Sequence, residues 1–186
     1  MEPDRPQWNV TSGPDHPGRD DAIGDDSFAA FYTASYQRLL GQLFAVTGDL
    51  AEAEDLLQEA YARAFARWAQ VCAYDRPEAW VRRVALNLAA MAARRLRRRA
   101  VALWRLGPPP VVPELSPELL DLHKALGTLP LGQRQVLVLH HLVGLPVEEV
   151  ARELGLPTGT VKSRLARGRH ALAQVLKTDR PEVAQG

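Results

Sequence analysis

The stretch Leu145–Leu176, LPVEEVARELGLPTGTVKSRLARGRHALAQVL, decides the fold. From Pro146 to Leu154 the apolar residues Val147, Val150, Ala151 and Leu154 fall at helical spacing, so a short helix is expected. Gly155-Leu156-Pro157 interrupts it, because glycine accepts the positive φ that ends a helix and proline cannot continue one. Thr158 is then read as the cap of a longer helix with Val161, Leu165, Gly168 and Leu172 turned inward. A helix, a glycine turn and a second helix at this spacing form a helix-turn-helix. Lys162, Ser163, Ala166, Arg167 and His170 project away from the apolar stripe. Such side chains hydrogen-bond base edges or grip phosphates in a major groove, although His170 is assigned no role. Lys162, Arg164, Arg167 and Arg169 follow one another without an intervening acid. A hairpin with solvated cations is the plainer alternative; four bases on a capped second helix favour DNA.

Outward from this motif, everything periodic repeats as a helix does. Between Ser27 and Val46, Phe28, Phe31/Tyr32, Leu39, Leu43 and Val46 make an amphipathic stripe. Gly48 closes that helix, and Asp49 with Glu52 three residues on caps the next. The second helix, Leu50 to Trp68, turns Ala53, Leu57, Ala60/Tyr61, Ala64 and Trp68 inward. After a loop from Val71 to Arg76, Pro77 suits the first turn of a third helix running to about Arg99. Its buried stripe is read as Val81, Val84, Ala85, Leu88 and Ala92, while Arg83, Asn87 and Arg94 share another face. A core helix needs no such polar line, so this face reads as a contact surface.

Five prolines between Arg105 and Pro117 break the helical pattern and favour a semi-rigid tether. Ser116-Pro117-Glu118 restarts a helix with Leu119, Leu122 and Leu126 apolar, a break falls at Leu129-Pro130, and a further helix spans Gln133–Val143 up to Gly144. The expectation is an all-α fold of two small helical domains. An acidic leader occupies residues 1–26 and is expected to be disordered. The first helical domain spans 27–104, a Pro-rich linker 105–117, the helix-turn-helix domain 118–177 and a tail 178–186.

Charge is segregated although the net value over 186 residues is +1. Seven acids lie within residues 1–26, and Asp49, Glu52, Glu54, Asp55 and Glu59 form an acidic block without a base. From Ala79 to Pro113 there are eight arginines and no acid. Separated blocks of opposite sign point to separate contacts with unlike partners. The single Cys72 excludes an intrachain disulfide framework and a multi-thiolate zinc site within one chain. No apolar run reaches the ~18–20 residues of a membrane span, and residues 1–26 have no apolar signal core, so a cytoplasmic protein without membrane insertion is expected.

Two motif sets carry a family resemblance. Ala53-Glu54-Asp55-Leu56-Leu57-Gln58-Glu59-Ala60 and the stretch Ala79 to Ala89, AWVRRVALNLA, resemble region 2 of bacterial RNA polymerase sigma factors. Leu129-Pro130, Arg134-Gln135-Val136-Leu137 and Gly159-Thr160-Val161-Lys162-Ser163-Arg164-Leu165 resemble region 4. The compact two-domain layout, covering about Phe28 to Leu176, is similar to the extracytoplasmic-function group.

The resemblance implies docking of Glu54, Asp55, Gln58 and Glu59 on the clamp helices of the polymerase's largest subunit, with the flap of the second-largest subunit as a further contact. It implies that Tyr74, Arg76, Trp80, Arg83, Asn87, Arg94, Arg97 and Arg98 hold the unwound strand of the −10 element. It implies that Thr160, Lys162, Ser163, Arg164, Ala166, Arg167 and Arg169 meet the −35 duplex. Leu86 and Met91 stand where the family often carries a base and an acid. An anti-sigma factor is a possible partner; no cofactor, metal or catalytic residue is implied. The alternative reading is a stand-alone helix-turn-helix regulator that binds two-fold symmetric DNA without polymerase. An enzyme is disfavoured because neither GxxxxGK[ST] nor HExxH occurs, and Cys72 has no evident activating partner.

Overall fold

The computed structural model describes residues 21–100 and 117–178, with side chains from 26 to 96 and from 121 to 177. Arg97 and Arg98, the rest of the proline-rich linker before Pro117, and residues 1–20 and 179–186 therefore lie outside the described residues or side chains. Helices α1 (Asp21–Thr47), α2 (Leu50–Phe65), α3 (Trp68–Val71) and α4 (Pro77–Ala100) form the first half. Helices α5 (Pro117–Gly127), α6 (Leu131–Leu137), α7 (Val147–Leu154) and α8 (Thr158–Thr178) form the second, and no strand occurs among the described residues.

In the first half α1, α2 and α4 pack on one another. The expected inward face of α2 is buried at Ala53, Leu57, Ala60, Tyr61 and Ala64. Asp49 caps α2, its carboxylate accepting from the Glu52 N–H at 3.0 Å. Gly48, at φ 86°, takes the left-handed turn that leads into this cap. Tyr61 and Ser35 share a buried hydrogen bond of 2.7 Å, and burial lifts the Tyr61 hydroxyl to about 12.

Three boundaries differ from the sequence reading. Helix α1 begins at Asp21, so the end of the acidic leader, expected to be disordered, is helical. Helix α2 stops at Phe65 rather than Trp68, because the chain tightens there with the Arg67 N–H donating to Ala64 at 3.1 Å. That turn aims Trp68 edge-on at Phe28, with ring centroids 5.2 Å apart, and its indole N–H donates to Ser27 Oγ at 2.6 Å. Thr158 is not the cap of α8: the Pro157 carbonyl accepts from Thr160 and Val161, which makes Thr158 the first helical residue.

In the second half α6 runs into a wider π turn, Val138–Leu142, where the Val143 N–H reaches the Val138 carbonyl at 3.0 Å. Helix α7 ends in a Schellman motif. Gly155 sits at φ 63°, and the Leu156 N–H donates to Ala151 at 2.9 Å. Helix α8 lies directly on α6 at Gly168, where an added Cβ would fall 3.0 Å from Leu137 Cδ1.

The halves do not stand apart. Their cores are continuous from Leu39 and Leu57 to Val136 and Val161. Arg134 of α6 donates to the carbonyls of Val46 (2.9 Å) and Thr47 (3.0 Å) at the C-terminal end of α1. His123 of α5 stacks on Phe44 with centroids 4.3 Å apart and meets the Gly48 carbonyl at 3.1 Å. Gln135 donates to the Leu86 carbonyl of α4 at 3.2 Å. This contact corrects the expected stripe of α4. Val81 and Ala85 are buried as expected, but Val84, Leu88 and Ala92 are only half-buried. Arg82, Leu86 and Ala89 are buried too, because the second half covers their face.

Candidate nucleic-acid interface

The outer face of α8 is set by its inner one. Val161, Leu165 and Gly168 are buried, so the positions between them turn to solvent: Lys162, Ser163, Ala166, Arg167 and Arg169 are exposed, Thr160 and Arg164 half-buried. Ser163 Oγ donates to the Thr160 carbonyl at 3.0 Å, and Arg167 folds back on Ser163 through contacts of 3.3 Å to its carbonyl and hydroxyl. Arg164 lies over Gly132, where an added Cβ would fall 3.0 Å from its Nη1. Among the described residues no carboxylate forms an ion pair with Lys162, Arg164, Arg167 or Arg169. A polyanion meets this row without displacing an acid.

The surface of α4 and its preceding loop is differently placed. Tyr74 and Trp80 are partly buried against the core. Arg76 is exposed but ion-paired with Glu149 of α7. Arg83 is half-buried, its Nη2 4.0 Å from where a Cβ on Gly155 would lie. Asn87 and Arg94 are exposed. Arg94 shares a cleft of about 480 Å³ with Arg164 and Arg167, lined also by Gln133 and Gln135. Candidate residues from the two motif sets thus converge on one opening.

On α2 the acidic row stands clear of the core, with Asp55, Gln58 and Glu59 exposed and Glu54 half-buried. Glu59 pairs with Arg63 one turn on at 2.8 Å, an exposed i,i+4 contact that leaves the row anionic. Sequence reasoning missed four residues that organise these surfaces: Arg82, Glu149, Glu153 and the α1-capping role of Arg134. Arg134 is held by four backbone carbonyls, and its burial lowers its pKa while Glu52 nearby acts in the opposite sense. Among the described residues no group of three or more His, Cys, Asp or Glu is arranged to hold a metal ion. Cys72 is exposed. Among the described residues no helix is long and apolar enough to cross a membrane.

These helices and surfaces match known proteins over most of the chain. Residues 31–99 match the family described as Sigma-70 region 2, and residues 119–172 match Sigma-70, region 4. An all-helical sigma-70 architecture is the class they define. The ECF RNA polymerase sigma factor SigE of Mycolicibacterium smegmatis is 33% identical over 178 residues, covering 89% of this chain and 69% of that protein. The RNA polymerase sigma-E factor of Streptomyces coelicolor is 31% identical over 151 residues, covering 80% and 85%. Among solved structures, the sigma factor RpoE bound to the anti-sigma factor NepR from Bartonella quintana superposes with a TM-score of 0.68 at 25% identity, covering 83% of this chain and 99% of that one. CnrH in complex with the cytosolic domain of CnrY gives 0.59 at 26% identity, covering 86% and 96%. The chain belongs to the extracytoplasmic-function group of the sigma-70 family, the RNA polymerase-binding factors of transcription initiation.

Proposed function

We propose that the chain acts as a promoter-specificity subunit in which the work is divided among the three surfaces described. The exposed row Asp55, Gln58 and Glu59, with Glu54 beside it, docks on the basic clamp helices of the polymerase's largest subunit. Carboxylates facing basic helices steer the encounter and fix its register more than they add affinity. Region 4 also contacts the flap of the second-largest subunit. Lys162, Ser163, Ala166 and Arg167 enter the −35 major groove, with Thr160, Arg164 and Arg169 nearer its backbone. The α4 surface takes the unwound −10 strand: Asn87 pairs with a base edge, Arg76, Arg83 and Arg94 hold the backbone or stack on bases, and Tyr74 and Trp80 shape the pocket. Arg97 and Arg98 extend the phosphate contacts. Melting follows from binding energy spent on the single strand; the chain itself catalyses no covalent step.

The observation that carries this reading is the acid-free, exposed row of α8 on a helix-turn-helix, joined in one chain to an acidic region 2 helix. A stand-alone regulator has no use for the second feature. One further partner follows from a solved relative. The sigma factor RpoE of Bartonella quintana is bound to the anti-sigma factor NepR, and an anti-sigma factor is proposed here as well. The chain is placed in the cytoplasm, where the polymerase is. Reconstitution with core RNA polymerase, selection of bound genomic fragments and run-off transcription test the reading. Selected fragments should share two spaced elements and start transcripts only with this protein present. A core enzyme unaffected by the protein, with palindromes bound by the chain alone, would overturn it.

A further inference from the structure

A second opening, larger and far less polar than the cleft at Arg94, lies where α1, α5, the π turn and α8 meet. Its volume is about 580 Å³, and Phe44 of α1, Leu126 of α5, Val138 of the π turn and Leu172 and Leu176 of α8 line it. Two further leucines of its lining, Leu122 and Leu142, are 38% and 61% exposed, although apolar surface of this kind costs free energy in water. No Asp or Glu lines the opening; its polar side chains are His123, His141 and Arg169. His123 is already engaged, stacked on Phe44 and bonded to the Gly48 carbonyl. Arg169 is exposed and has no ion pair among the described residues. Burial first, then His140 and Arg169, hold the His141 imidazole below its usual pKa, so the fixed charge at the mouth is that of Arg169. An apolar body with one uncompensated cation at its edge is the complement of a molecule with an apolar body and one anionic end.

Gly41 points the same way. It lies inside α1 and lines the opening, yet glycine is among the poorest residues for a helix interior. A positive φ or a close neighbour would account for it, but its φ is not positive and an added Cβ would meet nothing within 4 Å. The helix gives up stability there, and what it gains is room. Size then sorts the occupants. A stable protein partner engages roughly 20–30 residues on each side. Fourteen line this opening, and its volume falls within the range of about 300–1,000 Å³ that small-molecule sites occupy.

We propose that this groove is a binding site for a single-chain amphiphilic carboxylate of the fatty-acid class, its acyl chain lying against Phe44, Leu126 and Leu172 and its carboxylate held at the mouth by Arg169, with the His141 ring as a second donor. Binding is a property of the free chain and needs neither polymerase nor DNA. The site meets the promoter-contacting residues only at Arg169, whose guanidinium a bound carboxylate withdraws from the −35 backbone.

The test titrates the full chain with 11-(dansylamino)undecanoic acid, a fatty acid whose emission rises in an apolar site, below its micellar concentration. The probe should saturate at one molecule per chain with a Kd of about 10 μM or tighter. From octanoate to dodecanoate each added methylene should improve displacement of the probe about two- to four-fold. Dodecanol, equally long but uncharged, should displace it about ten-fold less well than dodecanoate, and Arg169→Gln should erase that preference. Gly41→Leu and Ala173→Phe fill the groove from α1 and from α8, and each should weaken probe binding about ten-fold or more with helix content unchanged by circular dichroism. No saturable binding, equal displacement by dodecanol and dodecanoate, or undiminished binding in either filled variant that keeps its helix content overturns the inference. Self-association of the wild type that both filled variants abolish, read by sedimentation, would give the groove to a second copy of the chain and overturns it as well. Failure of the promoter-specificity reading shows elsewhere, as a chain without effect on core polymerase in run-off transcription.

Discussion

Helices α8 and α4 both carry the cations expected of a polyanion-binding surface, yet the chain treats them differently. Around α8, Lys162, Arg167 and Arg169 face solvent with no carboxylate paired to them among the described residues. Around α4, Arg76 and Arg82 are matched by Glu149 and Glu153 of a neighbouring helix. The acid-free run in the sequence is therefore not an acid-free surface in space. Density of positive charge along a chain measures what can be offered to DNA only after the acids brought in by folding have been subtracted.

The largest effect that would test this contrast comes from Arg82→Ala. Leaving Glu153 unpaired in the closed interface disfavours that arrangement by about 3–5 kcal/mol. Hydrogen exchange should show lost protection where α4 meets α7. Arg167→Ala, on the open surface, should change stability by no more than about 0.5 kcal/mol in urea denaturation. Similar values for the two substitutions would erase the distinction between the helices.

Next come the base-reading side chains. In holoenzyme, Lys162→Ala should cost ~1–3 kcal/mol of discrimination at the −35 duplex, measured by competition between matched and mismatched DNA. Asn87→Ala should leave that value alone and impair strand opening, read by permanganate reactivity of unpaired thymines. Equal loss of both activities in either variant would refute the division of labour. On the acidic side, Asp55→Arg should weaken holoenzyme assembly ten-fold or more, about 1.4 kcal/mol, in a titration of core polymerase. Unchanged assembly would remove this residue from the interface. The last effect is local: Asp49→Ala removes the cap of α2 and should lower stability by about 1 kcal/mol in thermal unfolding, leaving duplex binding by α8 intact.

Much of this architecture was legible before folding was considered. The apolar spacing of Ala53, Leu57, Ala60 and Ala64, the Asp49 cap and the Gly155 turn are local signals, and each appears where the spacing puts it. The exposed row of α8 followed for the same reason, since burying Val161, Leu165 and Gly168 fixes what faces out. What stayed hidden depends on partners distant in sequence. Leu86 and Arg82 look like outward residues of α4 until Gln135 and Glu153 are brought against them, 49 and 71 residues further on. The π turn at Val138–Leu142 also leaves no trace in the pattern of apolar residues, because one carbonyl slipping to a later N–H does not change which residues are apolar. The Arg134 motif was visible, but not that its guanidinium would finish another helix.

That guanidinium has a consequence for how the molecule comes apart. Two of its carbonyl partners, Gly127 and Leu129, are only seven and five residues away in its own half, whereas Val46 and Thr47 belong to the opposite one. When the seam parts, Arg134 keeps its near neighbours and abandons the far pair, whose oxygens pass directly to water. The tear line is thus drawn through one side chain, and α1 is the helix left with an unfinished end.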